Sequence, residues 1–144
     1  MLNYKAVYKN ILTLVIIFYG GFMYKALIFD IKDSRKIQNR EELQKNLLQL
    51  IEDCNTIFKE YIVSPFCITC GDEWEGLLVK DAPDLDIKNF FQKRLPSNIF
   101  FYFGVGIGDI SIKDFSLPTN CLDGEAFIRA RDELNKAKNN NIYS

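Results

Sequence analysis

Three carboxylates stand where the chain must turn. In the stretch from Phe66 to Lys80, FCITCGDEWEGLLVK, two apolar runs flank Gly71-Asp72-Glu73. The glycine permits a tight reversal, so a hairpin would lift Asp72 and Glu73 to its tip. Phe29-Asp30-Ile31 repeats the theme more simply, with one aspartate closing an apolar strand. Hard divalent ions such as Mg2+ or Mn2+ take carboxylates and a neighbouring carbonyl, and they serve phosphate chemistry by neutralising charge. Asp30, Asp72 and Glu73, with the Ile31 carbonyl, are therefore the expected metal set, and Arg131 is the expected phosphate contact. Arg35 and Lys36, after the Asp30 turn, are further candidates for an anion. The plainer reading is that acids at strand ends and arginines on helices are simply solvated.

Composition limits the alternatives. A chain of 144 residues with 48% hydrophobic content forms one domain with a real core. Its net charge of -1 provides no general field for nucleic acid, so no direct nucleic-acid binding is expected. Histidine is absent, which excludes a Ser-His-Asp hydrolase and removes the commonest zinc ligand. Four cysteines are too few for a disulfide-stapled scaffold. Cys67 and Cys70 form a CxxC on a strand, where structural thiols outweigh a redox or zinc pair.

The elements that must position these groups follow from periodicity. Residues 1–22 form an apolar extension, uncharged between Lys9 and Lys25. It reads as a short membrane helix, an appendage or an extra buried element, so membrane association through residues 10–24 is the alternative to a cytoplasmic protein. Tyr24 to Phe29 is a strand. Asn39 and Glu42 fit a capping box, and Leu43, Leu47, Leu50, Cys54 and Tyr61 continue at helical spacing until Ser64-Pro65. Hairpin strands are expected at 66–70 and 75–80, a second helix at 85–95 and an aromatic strand at 98–105. Ile110 to Cys121 suggests a strand or extended arm, and Asp123 would cap a last helix carrying Ala126, Phe127, Ala130 and Leu134 inward.

Strand, helix, strand, strand, helix, strand is the order of a ferredoxin-like βαββαβ core, α+β, with an antiparallel sheet, two helices on one face and an added C-terminal helix. In that topology the first and third strands are neighbours, so Asp30 meets the hairpin turn. The domain is expected over 23–138 with a frayed tail at 139–144. No further strand arrives to close the sheet edge, which suggests truncation or a tolerated edge. Gly104, Gly106 and Gly108 lack the spacing of a dinucleotide fingerprint; they leave one strand face bare for a ligand or for close backbone approach, and Gly106 is the expected cofactor contact.

FDIKDSRKI at 29–37, TCGDEWEGLL at 69–78, FGVGIGDI at 103–110 and DGEAFIRARDEL at 123–134 together resemble the SatD family of small bacterial proteins. The likeness covers Met23 to Lys138, and longer members carry a helix-turn-helix segment that is absent here. More distantly the blocks are similar to class III nucleotide cyclases and GGDEF domains. That resemblance places Asp30 and Asp72 on the metal aspartates, residues 70–74 on the GGDEF signature and Arg131 on the arginine that supports the transition state. Ile68 stands where cyclases read the purine with lysine, Phe127 where they place an asparagine, and Cys70 replaces the first glycine.

These departures imply divalent-metal-dependent binding of a nucleotide or phosphorylated small molecule without active cyclisation, with a homodimer as one expected assembly. The alternatives are a non-catalytic sensor or interaction domain linked to transcriptional control in longer relatives, and a truncated, non-functional copy.

Overall fold

The computed structural model describes residues 23–144. The apolar N-terminal extension, and with it the readings as membrane helix or appendage, lies outside the described residues. Among those described, no helix is long and apolar enough to cross a membrane.

Alternation along β1 (Tyr24–Ile31) organises the molecule. Leu27, Phe29 and Ile31 enter one core, whereas Ala26 and Ile28 enter another on the opposite face, as a strand buried on both sides requires. The chain continues through α1 (Arg40–Ile57), β2 (Ile62–Cys70), β3 (Glu73–Val79), α2 (Asp84–Arg94), β4 (Phe101–Gly108) and α3 (Glu125–Asn139). Among the described residues the sheet order is β2-β3-β1-β4 with antiparallel pairing throughout. This is the ferredoxin-like α+β arrangement expected from the element order.

Both helices of the βαββαβ unit cover one face. Leu43, Leu47, Leu50, Ile51 and Cys54 of α1 and Ile87, Phe90 and Phe91 of α2 pack there around Phe29. Phe29 is fully buried, stacks on Trp74 at 5.0 Å and meets Phe91 at 5.1 Å. The opposite face is closed by α3 through Ala126, Phe127, Ala130 and Leu134. At the start of β1, Lys25 is held in the interior by Asp84 at 2.6 Å and by the Ala82 carbonyl.

Several boundaries differ from those expected. α1 ends at Ile57, and β2 already includes Ser64-Pro65. β2 is an edge strand whose pairing shifts between Ser64 and Cys67, so a proline that cannot donate to the ladder is tolerated. The segment 110–121 forms no strand; it contains a 3-10 turn at Thr119–Cys121, with Thr119 hydrogen-bonded to buried Ser64 at 2.5 Å. Gly124, not Asp123, occupies the cap position of α3.

The polar end expected to fray is instead folded onto β4. Ser144 and Phe101 exchange N–H···O bonds of 3.0 and 2.9 Å, which covers that end of the outer edge.

Candidate functional site

The register brings the sequence-predicted carboxylates to one end of the sheet. Asp30 lies directly opposite Glu73, and the Ile31 amide donates to the Asp72 carbonyl at 3.1 Å. Their backbones meet as the topology requires, but their side chains part. Asp30 pairs with Lys138 near the end of α3. Asp72 accepts from Arg40, the first residue of α1, at 3.0 Å. Glu73 receives two hydrogen bonds from Arg131, at 2.6 and 2.5 Å.

Each carboxylate is thus closed by a protein cation, and they are drawn toward helices on opposite faces. Among the described residues no group of three or more Cys, Asp or Glu is arranged to hold a metal ion. In this arrangement the three carboxylates are engaged by separate protein cations and do not form one donor set. Spacing along the chain can show which backbones meet, but cannot show that Lys138, Arg40 and Arg131 reach the same three acids first.

Arg131, predicted to contact phosphate, is committed to Glu73. Burial opposes ionisation of Glu73, yet the hydrogen bonds and charge of Arg131, helped by Thr69, hold its pKa below the ordinary glutamate value. The same pair raises the pKa of Arg131. Two residues along β3, Glu75 is only 8% exposed. Burial, reinforced by the Glu73 charge and partly offset by Arg131, raises its pKa to about 7.

Replacing Arg131 with methionine is expected to cost about 1–2 kcal/mol at neutral pH. Charge-assisted hydrogen bonds are worth ~1.5–3 kcal/mol, and solvent screens part of this because the Arg131 side chain is 40% exposed. Glu73 has a depressed folded pKa, so its contribution is present above the unfolded value and lost as pH falls through the folded one. Urea unfolding of Arg131→Met and of the unsubstituted protein should therefore converge in acid.

A cleft of about 630 Å³ opens beside the same sheet end, between the turn after β1 and the connection from α2 to β4. Its polar lining includes the acids Asp33 and Glu42 beside Lys32 and Lys36, with carboxamides such as Asn39 and Asn98, while Leu43, Ile99 and Phe100 supply apolar surface. Local structure explains why these residues converge. Asp33 takes a left-handed conformation at φ 53° and starts a 3-10 turn, which swings Lys32 and Lys36 around its carboxylate at 2.9 and 3.7 Å. Asn39 then caps α1 by accepting from the Glu42 amide. Of the cleft residues, Lys36 alone was expected from the sequence to meet an anion. The β1–α1 polar run signalled the others, but nothing in the sequence joins it to Asn98 and Phe100.

Gly106 does not present its bare α-carbon to a ligand. An added β-carbon would lie 2.1 Å from the Ala126 carbonyl oxygen and 2.3 Å from the Ala130 nitrogen, so α3 occupies that space; elsewhere Gly106 borders a shallow groove beside Arg129 and Asp132. Ile68 packs against the α1/α2 core, and Phe127 is buried on the inner side of α3. All four cysteines are free thiols. Burial pushes Cys54 up to about 12 and also raises Cys67, which suits structural roles.

Comparison with solved structures agrees with the architecture. A dimeric guanylyl cyclase domain of the RhoGC fusion protein from the aquatic fungus Blastocladiella emersonii superposes with a TM-score of 0.54 at 20% identity, covering 78% of this chain and 73% of that one. The guanylate cyclase domain of RhGC from Catenaria anguillulae, in complex with GTP, gives 0.52 at 22% identity over 78% and 72% of the two chains. A microbial GGDEF domain studied with cyclic di-GMP gives 0.52 at 13% identity over 89% and 78%. At these identities the likeness is one of fold. No curated protein matches the chain. The SatD family model, by contrast, matches residues 24–144, from the first residue of β1 through the folded-back tail, and the chain belongs to the SatD family.

Proposed function

We propose that this protein binds a nucleotide or another phosphorylated small molecule in the cleft beside the end of β1, and that it does not cyclise it. The observation that carries the reading is the cleft itself. Two lysines that flank Asp33 at one side can turn to phosphate, and carboxamides with a glutamate can pair with a polar heterocycle. Phe100 and Ile99 offer an apolar face for its ring. One related fold is a complex with GTP and another was studied with cyclic di-GMP, which supports a nucleotide as the class of ligand.

Three side chains support the absence of cyclisation. Arg131 is held by Glu73, and the apolar Ile68 and Phe127 are packed into cores at the two positions where the cyclase resemblance calls for polar groups. Free thiols suit a reducing compartment, and we place the protein in the cytoplasm. Ligand binding without turnover is the behaviour of a sensor domain, which joins the two functional readings of the sequence.

Calorimetric titration with a panel of nucleotides, with and without Mn2+, tests the proposal. At least one nucleotide should bind, and Lys36→Ala should weaken it about fivefold, the loss of one exposed charge-assisted contact worth ~1 kcal/mol. Lys36 is largely exposed, so folding should be unaffected. Binding that appears only with Mn2+ and disappears in Asp72→Asn would restore the metal reading. No heat with any nucleotide would reject the ligand.

A further inference from the structure

The residues after α3 touch the cleft from behind. Asn141, in the left-handed conformation at φ 52°, ends the helix, and Ile142 N–H donates back to the Ala137 carbonyl at 2.9 Å. This is a C-terminal stop that asparagine tolerates well. The chain then runs along the outer edge of β4, where Ser144 pairs with Phe101. Between these anchors the Tyr143 ring sits edge-on to Phe100 at 5.3 Å and to Tyr102 at 6.2 Å. Lys32 Nζ lies 4.7 Å from the centre of the same ring.

Lys32 and Phe100 therefore serve two surfaces at once: both line the cleft and both hold Tyr143. Lys32 also donates to the Asp33 carboxylate at 2.9 Å, so a phosphate would draw on a charge already shared between an acid and a ring. A charge-assisted hydrogen bond to phosphate is stronger than a cation–π contact with an exposed ring, and Tyr143 is 42% exposed. The strap itself has few buried contacts, which marks it as an element that opens locally before the core does. Blunting of an open strand edge explains the Ser144–Phe101 pair, but it does not require a ring seated on two cleft residues.

Resting on the ligand reading above, we propose that residues 140–144 are a strap that competes with the ligand for Lys32, so that filling the cleft frees the strap from the edge of β4. The coupling is reciprocal: whatever pulls the strap away raises ligand affinity by the same factor by which ligand loosens the strap. Lys138, which ties the end of α3 to Asp30, stays in place and limits the movement to the strap.

Amide hydrogen exchange on the full chain tests this, read at Ser144 and Phe101, with the core amide of Ile28 as control. Without any ligand, Lys32→Met should speed exchange at Ser144 about two- to fivefold, the factor that corresponds to an exposed cation–π contact, while Ile28 is unchanged and Lys32→Arg restores protection. Adding inorganic tripolyphosphate to the unsubstituted protein should speed exchange at the same two amides, and Tyr143→Ala should bind tripolyphosphate about two- to fivefold more tightly. Unchanged Ser144 exchange in Lys32→Met, or slower exchange with tripolyphosphate bound, overturns the strap and leaves the ligand reading standing. Failure of tripolyphosphate to bind overturns the competition through the ligand reading itself.

Discussion

Gly106→Ala is expected to lower stability by about 3 kcal/mol or more. Overpacking a well-filled core costs ~1–3 kcal/mol when side chains can adjust. Here the new β-carbon would lie 2.1 Å from the carbonyl oxygen of Ala126 and 2.3 Å from the nitrogen of Ala130. Both are backbone atoms of α3 and cannot rotate aside. Relief requires the helix to lift off the sheet and loosens Ala126, Phe127, Ala130 and Leu134 together.

Gly71→Ala provides the contrast. Gly71 has φ +58°, with nothing near its missing β-carbon, so its cost is conformational and closer to ~1 kcal/mol. Urea denaturation of both variants measures the difference. A loss below about 1 kcal/mol for Gly106→Ala, against the ~3 expected from overpacking, would mean that α3 does not rest on bare glycine.

Glu75→Gln is expected to stabilise the protein at alkaline pH by up to about 3 kcal/mol and to change little in acid. Its folded pKa of about 7 lies above the ordinary 4.5, so folding favours the protonated form. Below about pH 4.5 both states hold the proton and no penalty exists. As pH rises from there to about 7, the unfolded chain ionises and the folded one resists, and the penalty grows to its full size. A difference of roughly 2.5 pKa units corresponds to ~3 kcal/mol.

Glutamine removes the charge that burial and Glu73 oppose. Unfolding free energies of Glu75→Gln and the unsubstituted protein, compared between pH 4 and 8, should diverge as pH rises. A gain equal at every pH would show that Glu75 is not a buried acid.

How far the sequence revealed this molecule depends on which physical cause is considered. Leu43, Leu47, Leu50 and Cys54 showed α1 because burial on one face imposes a 3.6-residue period, and the four occupy that core. The neighbouring of Asp30 and the hairpin turn followed from topology alone and holds in the register. What topology cannot state is the direction of side chains, and so the expected shared metal site became three separate ion pairs.

Other differences have equally local causes. Pro65 looked like a helix stop but stands in an edge strand, where its missing N–H costs no ladder bond. The alternating glycines allowed either a ligand or a close backbone, and the partner was fixed only once α3 was placed over β4. The tail looked frayed because Asn139-Asn140-Asn141 is polar; it is anchored by Tyr143, whose aromatic partners lie some forty positions earlier in the chain. For the same reason the cleft was hidden, since it joins residues near 32–46 to residues near 96–100.

Ligand entry into that cleft is read most directly from a map of backbone amide chemical shifts as a nucleoside triphosphate is titrated in. Perturbations should cluster on residues 32–46 and 98–100, with secondary changes at Phe101 and Ser144. Perturbations confined to the groove beside Arg129 and Asp132, or none at saturating nucleotide, would contradict it.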